Sequence, residues 1–450
     1  MEESPRYEGA PLTTPTRIST VPLYVPLISG RVAAEPVFRS RDDELRGNLS
    51  PTARIVEGNA PAASVNVGGY MSQAIPLVAL SGFDLTATQG DGVNEIQTVT
   101  KAGTVTSGTY DLSAFGVALT LIPYNATAAA VQALFDNGIR RLGGAATCKL
   151  GDLVFGGGPL GGTPMTITYE GTLSCTNVAA AIVSSTNLVG GGTYDLTTST
   201  PGSIGTTLLP DGSGLPVGAW RWQSVKRSAA VPKSASLLMA YTEEGAYERG
   251  QGFGCSTLAL DDAGNWAATM LGLYAYTSAN PSLTPSYDAI AVEPMMRDRV
   301  VTWRDGSAMV TSLSLSIGNP IVAELNPAVL SRFPGLLRWS NEVGSFCRVT
   351  GSVEMDQMDV DDLDSLREAS VFAASSHWRT RSKIGSTGAL YQMWAEMPSC
   401  QYSGGTGPED LAAKRRHSAS FDFEAVYDTV AGYDCRLTFT SGLSTVETYA

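Results

Sequence analysis

Short runs of alternating apolar and polar residues recur along the chain, separated by clusters of Gly, Pro, Ser and Thr. Met165-Thr-Ile-Thr-Tyr169, the first seven residues of Ser418-Ala-Ser-Phe-Asp-Phe-Glu-Ala-Val-Tyr427, and Cys435-Arg-Leu-Thr-Phe-Thr440 carry a period of two. That period turns one face of a strand to a core and the other to solvent or a neighbour. The texture predicts a mainly β protein, with β-sandwich or barrel domains and short flanking helices. Helical patterns are few. Asn125–Asp136 offers an Asn or Thr cap, Val131, Leu134 and Phe135 on one face, and Asn137-Gly138 as a stop. Asn326-Pro327 opens a turn or two through Phe333. Asp361–Phe372 crowds acids into its first turn, where the helix dipole favours them, and aligns Leu363, Leu366 and Ala369.

Between Asn94 and Thr200 the chain turns Thr/Gly/Ala-rich and holds only ten Asp, Glu, Lys or Arg residues. Loop-like stretches bound it: Thr88–Gly92 before, Pro201-Gly202 and Pro210–Gly214 after. A self-contained unit between two exposed loops reads as an inserted domain. The expected organisation is an N-terminal arm (1–20), a discontinuous first domain (21–93 and 203–290), an inserted Ig-like domain (94–202) and a second domain (291–450). The two outer domains show a faint likeness that suggests duplication. Gly252–Leu260 with Trp266–Tyr276 forms a strand pair, as Lys414–Tyr427 does with Asp434–Thr440. Ser64–Gly68 opens a sheet pattern as Arg348–Val353 does.

Composition narrows the function. The 450 residues carry 30 Lys+Arg against 43 Asp+Glu, a net charge of -13. Charged residues make up 16% of the chain against the usual ~25%, so much of its surface is expected to be covered. The acidic opening, without an apolar run, predicts no secretory signal. Apolar stretches such as Ala74–Leu80 fall short of the ~20 residues of a membrane span. The acidity and the lack of a basic block argue against stable nucleic-acid binding. Cys148, Cys175, Cys255, Cys347, Cys400 and Cys435 are scattered without a CxxC pair, and read as buried free thiols rather than a zinc site or disulfide framework.

Motifs that promise chemistry fail on their context. Gly156-Gly-Gly-Pro-Leu-Gly161 fits GxGxxG, but a strand pattern follows where a dinucleotide loop needs a helix, so it reads as a β-turn. The acidic run Asp356–Asp364 lacks the spacing of a calcium loop and reads as a helix N-terminus. Asp261-Asp262 lies in a hairpin turn. His377 and His417 are read as surface or interface residues. Trp220-Arg-Trp222 puts two indoles on one strand face, where packing is a commoner use than sugar stacking. No catalytic, cofactor-binding or metal-ligating residue is assigned, no cofactor is implied, and no enzymatic activity is expected.

Two resemblances add context. Asn94–Thr100, Pro123–Leu134, Gly151–Gly158 and Thr166–Gly171 resemble, in that order, a β-rich Ig-like module of bacteriophage tail and other structural proteins. The remainder looks like a tail tube (major tail) protein of a long-tailed phage. Its marks are Trp220-Arg-Trp222, Ala235–Tyr241, Tyr247, Gly254–Leu260 leading into Trp266–Tyr276, Gly351–Val353 with the Leu363–Phe372 helix, and the closing hairpin. The resemblance implies a β-sandwich with a flanking helix, whose hairpins join those of neighbours into a β-barrel around a channel. It further implies trimeric pseudo-six-fold or hexameric rings that stack through N-terminal arms, for which the Pro5–Pro26 stretch is suited. Implied partners are other copies of the chain, tape measure protein and genomic DNA in the lumen, tail terminator and baseplate proteins, and host-surface glycans at the inserted domain, with no membrane. The implied location is the virion tail, assembled in the host cytoplasm. A baseplate or distal-tail component, and a carbohydrate-binding or carbohydrate-cleaving protein, are the alternatives.

Overall fold

The computed structural model describes residues 27–40, 54–68, 71–160, 162–227, 234–240, 246–279, 298–304, 306, 310–324, 336–340, 347–356, 368–406 and 419–443. Antiparallel strands dominate them, as the alternating pattern predicts. The chain opens with a long hairpin, β1 (Leu27–Ser40) and β2 (Arg54–Val67), then α1 (Met71–Leu80) and β3 (Phe83–Gln89). A group of small elements follows: β4 (Ile96–Ala102), β5 (Ser107–Ala114), β6 (Val117–Pro123), α2 (Ala128–Leu142), β7 (Leu153–Gly157), β8 (Met165–Tyr169), β9 (Ile182–Val189) and β10 (Thr193–Thr200). Next come β11 (Trp220–Arg227), β12 (Ala235–Ala240), β13 (Ala246–Leu260), β14 (Trp266–Leu271) and β15 (Tyr274–Ala279). The C-terminal part holds β16 (Asp298–Trp303), β17 (Val310–Gly318), β18 (Ile321–Glu324), β19 (Leu336–Trp339), β20 (Arg348–Met355), β21 (Phe372–Lys383), β22 (Leu390–Thr406), β23 (Ala419–Ala425) and β24 (Arg436–Ser441).

Two arrays of four strands, β1-β2-β14-β13 and β17-β20-β23-β22, join through β13 and β17 into one eight-stranded sheet. β13 and β22 are each long enough to leave this sheet and enter a second layer. The N-terminal half of β13 pairs with β12 and β15, and that of β22 with β21 and β24. Register breaks fall at matching places: Leu27/Ser29 and Val310/Ser312, Cys255/Thr257 and Tyr402/Gly404, Ala235/Leu237 and Phe372/Ala374. Such bulges bend a strand and sharpen its twist, which suits positions where strands pass between layers. β3 and β11, which flank the 94–200 stretch in sequence, extend the layer of β24.

The space between the layers is one continuous core. Trp266 of β14 lies 6.3 Å from Phe439 of β24, and Trp303 of β16 touches Phe372, Tyr402 and Phe423. α1 sits against this core with Ala74, Ile75 and Val78 buried. Its apolar run, noted in the sequence only as too short for a membrane, is a core helix that is apolar all round and so has no amphipathic signature.

A second core is confined to residues between Val99 and Tyr194. It packs α2 against the sheets β10-β4-β8-β7 and β6-β5-β9. Thr127 caps α2 by accepting the Ala130 N–H at 3.3 Å, and Arg140 and Arg141 complement its last turn. The expected stop at Asn137-Gly138 is passed, and the helix ends at Gly143, whose N–H bonds to Ile139 O at φ +56°. Gly138 has another role: a Cβ there would come within 2.6 Å of Val117 Cγ1, so its bareness lets helix and strand meet. Leu134, expected on the packed face, is exposed, because the buried stripe runs through Ala128, Val131, Phe135 and Ile139.

Other expectations also change. β23 and β24 do not form a closing hairpin; both pair with β22, on different stretches of it. The counterpart of Gly252–Leu260 in strand order is therefore β22, while β2 and β20 do hold the same place. Arg436–Ser441 is not half-exposed: Leu437 through Ser441 are buried, since β24 lies between β22 and β11 with α1 packed against it. Phe372 begins a strand rather than ending a helix. The N-terminal arm, the Asn326–Phe333 turn, residues 361–367 of the expected acidic helix, His417 and the expected domain boundary at 290/291 lie outside the described residues.

Candidate functional site

The most extensive feature is the outward face of the eight-stranded sheet. Alternation sends Leu313, Leu315 and Ile317 of β17, Val349 and Val353 of β20, and Phe421 and Phe423 of β23 inward. The intervening positions turn outward and are small. Ser314 lies opposite Ser352, which lies opposite Asp422; Ser316, Thr350 and Glu424 form the next row. The other array continues it with Ser64, Asn66, Ala267 and Thr269. The Ser314 and Ser352 hydroxyls are 2.9 Å apart, and Asn66 Nδ2 donates to Ser29 Oγ at 2.7 Å. Charge among the described side chains of this face comes from Arg31 and Arg348 against Glu354, Asp422 and Glu424, with Arg348 Nε 3.7 Å from Glu424 Oε1. Among the described side chains the face is therefore hydroxyl-rich and nearly balanced in charge, with Leu271 at its margin as the large apolar group.

This sheet does not close on itself. β1 has β2 on one side and no paired strand on the other, although its Val32 N–H donates to Glu248 Oε2 of β13 at 3.2 Å, and the 404–406 end of β22 has β23 alone, among the described residues. Open edges of this length invite pairing with another chain. Both lie at the two ends of the same face.

A second feature is the junction of the 94–200 group with the larger core. Asp91 accepts from Thr206 N, Thr206 Oγ1 and Thr207 N, so the entering and leaving strands are tied across the gap between them. These bonds hold its carboxyl well below the usual carboxylate range. Bridges Val93–Ser203 and Gly92–Pro216 continue the tie. Asn94 donates to Thr387 O at 2.8 Å and accepts from Ser174 Oγ and Cys175 N. Lys383 of β21 bonds to Glu170 Oε2 and, at 2.7 Å, to Gly151 O. Beside it lies a cleft of about 100 Å³ lined by Thr172, Asp211, Arg379 and Gln392. Its lining residues include an acid and a base but no Cys or His side chain.

The residues weighed in the sequence are placed as follows. His377 is half-buried, its ring stacks on Trp394 at 4.3 Å, and Nε2 is 2.8 Å from Gln392 Oε1. Burial pushes its pKa below the ordinary value. Trp222 is buried and donates to Leu443 O, and Trp220 packs on the same core, so neither offers a sugar platform. Gly156 and Gly157 end β7, paired with Thr166 and Met165 of β8, and Gly158 opens the turn between the two strands. Asp261 closes the β13–β14 turn by accepting from Asn265, while Asp262 binds Leu313 N and pairs with Arg299. All six cysteines are free thiols, five of them buried, and burial raises Cys148 to about 11 and Cys255 and Cys400 to about 12. The sequence did not single out Lys383 or Asp91, because their partners lie more than a hundred residues away.

No protein-family model matches the chain, and no curated protein matches it.

Proposed function

We propose that the protein is a structural subunit of a phage tail tube, acting without catalysis by assembling into stacked rings around a channel for DNA. The observation that carries this reading is the eight-stranded face with an open edge at each end. A face with hydroxyls and few charges offers a sliding polyanion neither apolar patches nor a surplus of cations to bind. The described side chains of that face carry two bases against three acids, so its inertness toward DNA rests on the lack of attraction more than on repulsion.

Geometry favours three copies. At about 4.8 Å per strand and a tilt of about 40°, some 24 strands enclose a barrel of roughly 24 Å backbone radius. Side chains leave a lumen of about 40 Å, room for a duplex of roughly 20 Å with its hydration. Two copies leave about 23 Å, which grips the duplex. The matching strand orders and bulges support a duplicated tube unit, and the separate core between Val99 and Tyr194 supports an inserted module at 94–202 that projects from it. A baseplate or distal-tail ring would use the same face without stacking.

Electron microscopy of the purified protein tests the reading. Stacked rings with a central hole are expected, and a single cap-like ring would move the assignment to the baseplate. Compact monomers at assembly concentrations would overturn both.

A further inference from the structure

We propose that the outer edge of β1 pairs antiparallel with the 404–406 end of β22 on a second copy of the chain, with Gly404 opposite Glu35 and Thr406 opposite Ala33. This rests on the ring-forming reading and names the joint that makes the ring.

The chain already contains one such joint. Within it, β13 meets β17 with Thr257 opposite Gly318 and Ala259 opposite Ser316. β13 is the last strand of its array and β17 the first of the next. The same positions at the outer ends of the face are held by β22 and β1. Matching the bulges sets Tyr402 on Cys255 and Gly404 on Thr257. It likewise sets Ser29 on Ser312, and hence Val32 on Leu315 and Glu35 on Gly318. Burial agrees with this alignment: Cys255 and Tyr402 are both buried, as are Leu315 and Val32. Carrying the internal register across the alignment gives the pairing stated above.

The two edges also complement each other in kind. Pairing β1 with another β1 would close a two-fold dimer and leave both 404–406 ends open. Pairing β1 with β22 engages both ends of the face, beside the Val32 N–H that Glu248 already holds, and closes a ring when the rotation allows it. Opposed Cα atoms in such a pair lie within the range a disulfide bridges.

Cross-linking tests the register. In a Cys347→Ala background, Ala33→Cys combined with Thr406→Cys is expected to give covalent multimers on a non-reducing gel, and neither change alone should do so. Ala33→Cys with Gly405→Cys, one residue out and on opposite faces, should give none. Ala259→Cys with Ser316→Cys, the internal counterpart, should bridge within one chain. In the unmodified protein, amides of residues 33–35 and 404–406 should exchange more slowly in rings than in dissociated chains. Rings visible by microscopy with no cross-link, with equal cross-linking of the shifted pair, or with unchanged exchange at both edges would overturn this joint and leave the ring reading standing. Monomers by microscopy would overturn the ring reading and the joint together.

Discussion

Replacing Trp303 by Ala removes the centre of the aromatic cluster that closes the C-terminal half of the core. Its side chain is fully buried, its indole N–H donates to Tyr402 Oη at 2.9 Å, and its ring lies 5.0 Å from Phe423 and 5.1 Å from Phe372. Burial of about 150–250 Å² at about 25 cal/mol per Å² sets an upper figure of roughly 4–6 kcal/mol. Incomplete collapse around the cavity and the smaller residual side chain place the expected cost at about 3–5 kcal/mol. Trp303→Phe keeps a ring and loses the donor, so about 1–2 kcal/mol is expected from the hydrogen bond and the lost volume. Tyr402 belongs to β22 just before its open end, so the Ala variant should also assemble poorly. Urea unfolding followed by circular dichroism measures the first effect and sedimentation the second. A loss under about 1 kcal/mol for Trp303→Ala, with assembly intact, would refute the claim that this cluster holds β16 and β22–β23 together.

Three further outcomes follow from the same contacts. Lys383→Met leaves the partly buried Glu170 carboxylate and Gly151 carbonyl without their cation, and should ease local opening of the 149–174 region by about 1.5–3 kcal/mol in hydrogen exchange, with β20 and β23 unaffected. Gly351→Ala places a Cβ 2.2 Å from Ser314 O and 2.6 Å from the Phe423 ring, so β17 and β20 must part, and a loss of about 1–3 kcal/mol is expected in urea. Acid should act at two points. Asp91 has a lowered folded pKa, so its contribution is complete above the unfolded value of 3.8 and is lost as pH falls below it; His377, also lowered, opposes folding as pH falls below 6.5. Thermal unfolding across that range should show both losses, with Asp91→Asn removing the more acidic one and His377→Gln the other.

The strands that alternate cleanly were legible. Met165–Tyr169 and Ala419–Ala425 each have one packed face and one open face, and their burial follows the pattern residue by residue. Where both faces are covered the pattern misleads: Thr438 and Thr440 are both buried in β24 under neighbouring elements, and the Thr440 hydroxyl is held inside, donating to Leu390 O and accepting from Gln392 N. α1 escaped notice because all its sides are apolar, and Gly138 was misread because the need for a bare Cα arises from Val117 on another element. The outward face was hardest to see. Apart from a few charged positions its residues are Ser, Thr, Ala and Asn, ordinary loop material in a linear reading, and only the strand order brings them into one surface. The corresponding places of β2 and β20 could be glimpsed, whereas pairing β22 with β13 required the bulges, which depend on partners far along the chain.

A cryo-electron microscopy reconstruction of the assembled protein tests the central claim most directly. A hollow ring of three chains is expected, with Ser314, Ser316, Ser352 and Asp422 facing a lumen about 40 Å wide. An assembly with that face turned to the outside, or one whose centre is filled, would contradict it.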